Sequence, residues 1–158
     1  MSILLPNDVS QQMLDSKKTK NAKVTNSNGT CSFGVMPNLG ARFPTGNIIL
    51  KLGDSGFYDR NERKLKAAFG LRHIWDKHKV EIGATNAFDV IEFIESVITV
   101  GAEIIIDQNK DPNKPLIVES TAGMVVVELK QPQGEEPYYS IVTAYDKTRH
   151  AGTLVGNL

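Results

Sequence analysis

The chain has 158 residues, 41% of them hydrophobic and 23% charged, with 18 basic residues against 18 acidic ones. That is enough for one domain with its own core, with little left for a second. A single cysteine, Cys31, excludes an internal disulfide framework and a cysteine-rich zinc site, and no apolar run is long enough for a membrane-spanning helix.

Residues 1–40 differ from the rest. The segment SKKTKNAKVTNSNGT is polar and has no apolar period, so 1–40 is expected to be a flexible arm or linker, with the folded domain over 41–158. The start, MSILLPNDVSQQ, has no basic stretch of the kind that opens a signal peptide. NIILKL (47–52) is apolar and β-branched between Gly46 and Gly53, a short strand. Asp59 and Glu62 have the spacing of a capping box, which predicts a helix through NERKLKAAF; Gly70 bends or breaks it, and LRHIWDKHK resumes the helical pattern. Thr85 or Asn86 caps a second helix, AFDVIEFIESVITVG, ending at Gly101.

Four strands follow, at 103–107, 115–120, 124–130 and 138–146, separated by turn-forming segments short enough to favour antiparallel hairpins. The tail from Lys147 is expected to be weakly structured. The resulting expectation is an α+β fold with N-terminal helices packed on one face of a four- to five-stranded antiparallel sheet.

Charge is unevenly spread. From Arg60 to Val80 seven basic residues face two acidic ones, whereas Glu81 to Glu119 holds eight acidic and two basic. A local positive face suits a site for one polyanion; a solvated basic helix beside a solvated acidic one is the plainer alternative. His73 and His78 lie in the basic stretch beside Arg72, Lys77 and Lys79, and both can move protons near neutral pH. Their i, i+5 spacing puts them about 140° apart on a helix, unlike a zinc-protease pair. In YYSIVTAYD, strict alternation places Tyr139, Ile141, Thr143 and Tyr145 on one side and Tyr138, Ser140, Val142 and Ala144 on the other. Thr143 and Tyr145 would then project together, their hydroxyls able to hold a phosphate or ribose; β-propensity alone is the plainer reason for them.

The helix GLRHIWDKH, the acidic-apolar helix after it and the closing strand SIVTAYD together resemble the phage- and toxin-associated nucleases related to barnase, EndoU, the tRNA-cleaving colicins and RelE-like toxins, the BECR fold, over about 45–147. The resemblance implies a metal-independent endoribonuclease without cofactors, often a toxin domain delivered to a competitor and neutralised by a cognate immunity protein, or a phage protein. It matches His73 and His78 to the family's helix histidines and Thr143 and Tyr145 to its strand pair. Cleavage would use the ribose 2′-hydroxyl as nucleophile and leave a 2′,3′-cyclic phosphate. His73 is expected as general base or acid, with Tyr145 or His78 as its complement and Thr143 positioning the phosphate. Arg72, chosen for charge and adjacency, would stabilise the phosphate, with Lys51 and Lys130 as weaker electrostatic candidates on neighbouring strands. Neutral net charge points to a defined substrate such as tRNA; the resemblance implies that it is met in the cytoplasm of a target or host bacterium, and the absence of a long apolar run predicts no membrane partner. The alternatives are a non-catalytic RNA-binding domain and a phage protein-interaction domain on the same fold.

Overall fold

The computed structural model describes residues 3–107, 116–148 and 152–158. Pro115, the expected start of the strand at 115–120, lies outside the described residues. In chain order the elements are β1 (Ile3–Leu4), a 3-10 turn (Pro6–Asp8), α1 (Gln11–Leu14), β2 (Lys23–Val24), β3 (Ser32–Met36), β4 (Gly46–Lys51), β5 (Phe57–Asp59), β6 (Lys64–Lys66), α2 (Gly70–Ile82), α3 (Ala87–Val97), β7 (Glu103–Ile106), β8 (Leu116–Ser120), β9 (Gly123–Lys130), β10 (Tyr138–Tyr145) and β11 (Thr153–Asn157).

Among the described residues, nine strands form one mixed sheet in the order β1-β2-β4-β10-β9-β8-β7-β11, with β3 also paired to β4. The pairs β1–β2 and β4–β10 are parallel and the others antiparallel. The class is α+β, but the expected four- to five-stranded antiparallel sheet beneath N-terminal helices is wrong. The expectation missed the strands of the N-terminal segment and of the tail, and α2 and α3 fall in the middle of the chain. Residues 3–40, expected as an arm, contribute Val9, Leu14, Ala22, Val24, Phe33 and Met36 to the main core. Strands of two to five residues supply too few apolar positions for a period to show, and tertiary pairing holds them instead. The tail likewise pairs, as β11, with β7.

The predicted helix before Gly70 is a β-hairpin, β5–β6. Asp59 Oδ1 does accept from the Asn61 and Glu62 amides at 2.8 and 3.1 Å, but the chain turns back instead of coiling. Lys66 then reaches across to Asp59 at 3.2 Å and Glu62 at 2.7 Å. Arg63 and Ala67 have φ of 54° and 61°, values a helix does not tolerate. Where the end of β4 meets the start of α2, a Cβ on Gly53 would lie 2.0 Å from the Phe69 carbonyl oxygen, so only glycine permits the crossing. The Arg72 amide donates to the Leu52 carbonyl at 2.9 Å, satisfying one free donor of the α2 start. Gly83, with φ 73°, ends the helix in a left-handed cap.

Helix α3 is capped by Asn86, whose side chain accepts from the Asp89 amide at 2.9 Å. Leu71, Ile74, Val90, Ile91 and Ile94 bury the apolar stripes of α2 and α3 against Ile48, Leu50, Val118, Val125, Val127 and Ile141 of the sheet. β4 pairs only with Tyr138–Ser140 of β10, while α2 packs against β10 as well as against α3 and β4. The opposite sheet face carries a small cluster, Ile105, Ile117 and Met124, flanked by Val126 and Tyr145.

Candidate functional site

The pairing of β10 with β9 sets the geometry of the site. Ile141 lies opposite Val127, but Thr143 lies opposite Val126, so Val142 is an extra residue in the ladder, a β-bulge. The bulge shifts the alternation by one. Tyr139, Ile141 and Ala144 face the core, whereas Tyr138, Ser140, Thr143 and Tyr145 share the opposite face with Lys130, Glu128, Val126 and Met124 of β9. The strict alternation expected from the sequence, with Thr143 and Tyr145 beside Tyr139 and Ile141, is therefore corrected. The two hydroxyl residues still project on one face, but away from the apolar core.

Helix α2 brings both histidines to this end of β10. The His78 and Tyr145 rings are 5.3 Å apart at a 31° tilt, and the His73 and His78 rings 5.9 Å apart, edge to face. His73, His78 and Tyr145 thus form one cluster. Thr143, two residues before Tyr145 on the same face, has a buried Oγ1 with no hydrogen-bond partner, as does His73 at Nδ1. A buried polar atom without a partner costs about 1–3 kcal/mol, so each of the two is a candidate contact for a ligand's polar atoms.

Two carboxylates that the sequence reading missed complete the cluster. Glu81 Oε1 lies 2.5 Å from His78 Nδ1, and Glu81 also shares a hydrogen bond with Asp146. Burial pushes the Glu81 carboxyl up, but the hydrogen bonds from His78 and Asp146 outweigh it and hold it below the usual carboxylate range. Asp146 moves the other way, raised by its hydrogen bond to Glu81 first, with desolvation and the Glu81 charge adding to it. Of the two carboxyls, Asp146 is the one shifted towards its protonated form. The His–x–x–Glu spacing on one helix face and the Asp directly after Tyr145 were the available signals.

Burial lowers His73 to about 4, helped by the His78 and Lys77 charges and opposed by Asp76. It is a neutral imidazole at neutral pH. Burial also raises the Tyr145 phenol, with the charges of Asp107 and Glu81 acting in the same direction, so it stays protonated.

Arg72 is not at this cluster. Its side chain is 2% exposed and donates from Nε to the Met13 carbonyl at 2.9 Å and from Nη1 to the Gly53 carbonyl at 3.0 Å. The guanidinium ties α1 to the end of β4, and the phosphate role expected for it is replaced by a structural one. On a helix, adjacency in sequence turns neighbours about 100° apart, which is why Arg72 and His73 diverge.

Lys51 and Lys130 do share a face with Thr143 and Tyr145. Lys51 Nζ lies 2.8 Å from the Tyr138 hydroxyl, and Lys130 pairs with Glu128 at 3.1 Å. Both line a cavity of about 460 Å³ that Ser140 and Val142 also border. Among the described residues, no group of three or more His, Cys, Asp or Glu side chains is arranged to hold a metal ion. No protein-family model matches this chain, and neither a curated protein nor a solved structure matches it.

Proposed function

We propose that this chain is a metal-independent endoribonuclease that cleaves RNA by attack of the 2′-hydroxyl on the adjacent phosphorus. The observation that carries the reading is the cluster His73–His78–Tyr145, with His78 held by Glu81 beside two buried polar atoms that lack partners. RNA carries its own nucleophile, so the protein has only to move two protons and stabilise charge on phosphorus.

His78 is the general base. Glu81 fixes Nδ1 and orients the ring, leaving Nε2 for the 2′-hydroxyl proton. The O2′–P bond forms as the P–O5′ bond breaks. Tyr145, kept protonated, gives its proton to O5′, leaving a 2′,3′-cyclic phosphate and a 5′-hydroxyl. Thr143 Oγ1 and the neutral His73 imidazole supply hydrogen bonds to the non-bridging oxygens. This assigns His73 to charge stabilisation rather than proton transfer, because a group titrating near 4 is a weak base at neutral pH. A structured RNA such as tRNA, in the cytoplasm of a target or host bacterium, is the proposed substrate, and an immunity protein covering this face is the proposed partner of a toxin domain.

The test is incubation of purified protein with total tRNA in EDTA. Cleavage ending in cyclic phosphate, abolished by His78→Ala in a folded variant, supports the reading. RNA that stays intact at every pH from 5 to 9 removes it, and binding without cutting would favour the non-catalytic alternative.

A further inference from the structure

The sheet face that carries Thr143 and Tyr145 continues past Ser140 into a lysine-lined cleft. β2 and β4 pair with Lys23 directly opposite Lys51. Like charges directly opposite on neighbouring strands repel, and sequences usually avoid them. Among the described residues Lys20, Lys23 and Lys51 form no ion pair, and Lys51 meets only the Tyr138 hydroxyl and ring. The inner cavity of about 460 Å³ takes Lys20, Lys51 and Lys130 into its wall, with Glu128 as the one carboxylate. That carboxylate is already paired to Lys130. A second cavity of about 540 Å³ shares Asn21 and Lys51 with the first and adds Lys23; Glu135 and Glu136 line it too. Those two glutamates limit how far along this cleft a polyanion can run.

We infer that the inner cavity, between Lys20, Lys51 and Lys130, is a subsite for a backbone phosphodiester of the substrate strand, adjoining the scissile position. The assignment of the strand as RNA rests on the ribonuclease reading; the phosphate site itself does not. Ser140 and Val142 border the cavity and Thr143 follows immediately on β10, on the strand that leads to the cluster at Tyr145. Lysine ammoniums are point charges that attract phosphate without reading base or sugar.

The experiment measures binding apart from cleavage. The probe is a fluorescein-labelled hexanucleotide with 2′-O-methyl sugars, which lacks the nucleophile and cannot be cut, followed by anisotropy from 50 to 300 mM salt. In Lys20→Gln/Lys51→Gln the dissociation constant should rise about tenfold at low salt, and the slope of log affinity against log salt should fall by about 0.7, the single-strand value for one neutralised phosphate. Lys18→Gln, outside the lining, should change neither. A DNA hexamer should bind as the 2′-O-methyl strand does. Unchanged affinity and slope in the double variant overturn the proposal. So does a hexaglutamate that binds as tightly, which would assign the cleft to carboxylates. Protein that binds the probe but never cuts RNA loses the ribonuclease reading and keeps this one; protein that cuts RNA with KM unchanged in the double variant does the reverse.

Discussion

His78 Nδ1 and Glu81 Oε1 are 2.5 Å apart, one turn from each other on α2. The carboxylate fixes which ring nitrogen is engaged and so which one the proposed cleavage would use. Removing the imidazole and removing its orienting group should therefore differ in size. His78→Asn should lower the cleavage rate by about 10²–10⁴, the usual worth of an acid–base group, whereas Glu81→Gln should cost about tenfold and leave KM unchanged. Single-turnover cleavage of an end-labelled RNA, with circular dichroism as the fold control, separates the two. Equal losses would mean that Glu81 itself takes the proton.

Burial holds His73 at about 4, below its ordinary 6.5. The unfolded chain then binds a proton that the folded chain refuses between these values. The stability contribution is fully present above about pH 6.5 and is lost as pH falls towards 4. The full shift would correspond to about 3 kcal/mol; the ring is partly wetted, so about 2 kcal/mol is expected. The groups that set the shift besides burial are His78 and Lys77, which lower it, and Asp76, which raises it. Urea midpoints of the wild type should fall from pH 7 to pH 4 by more than those of His73→Phe, the difference isolating this one imidazole from the carboxylates titrating in the same range. Parallel curves would show that His73 titrates normally.

Arg72 reaches the Met13 and Gly53 carbonyls from a site almost closed to water. Arg72→Met keeps the bulk of the stem but strands both acceptors, so it should cost about 3 kcal/mol and lower Tm by about 6–12 °C for a chain of this size. Cleavage per folded molecule below that temperature should match the wild type. A stable Arg72→Met with cleavage depressed more than tenfold would return the guanidinium to the phosphate.

The strands at 46–51, 103–106, 116–120, 123–130 and 138–145 and the helices at 70–82 and 87–97 were legible because each is long enough to carry an apolar period between turn formers. The hairpin at 57–66 was not. Asp59 makes the same local hydrogen bonds at a helix start and at a turn, and the positive φ of Arg63 that decides between them leaves no mark at a non-glycine residue. The short strands of residues 3–36 were hidden because their stability comes from partners distant in sequence, as when Val24 pairs with Leu50. His73, His78, Thr143 and Tyr145 were singled out in the sequence by chemistry and by the resemblance, but the face on which the last two sit was not legible. Alternation assumes one residue per rung, and the extra Val142 breaks that assumption without a glycine to announce it. Arg72 shows the converse error, a charge credited to a site because it is next in sequence.

Thr143 offers the sharpest separation of folding from function. Its Oγ1 is buried and makes no hydrogen bond. Thr143→Val replaces the hydroxyl with a methyl of similar size, removing a desolvated polar atom and no native contact. Stability should hold or rise by about 1 kcal/mol, opposite to the usual sign for a point substitution. Cleavage should fall about tenfold, through the rate rather than KM, because the hydrogen bond to a phosphate oxygen gains strength only as charge accumulates in the transition state. Tyr145→Phe should lower the rate further, about a hundredfold, since it removes a proton donor rather than a stabilising contact, and an RNA analogue with a better leaving group in place of O5′ should recover most of that loss but none of the Thr143→Val loss. If Thr143→Val instead lowers Tm, the hydroxyl is part of the fold's own hydrogen bonding and has no phosphate to meet.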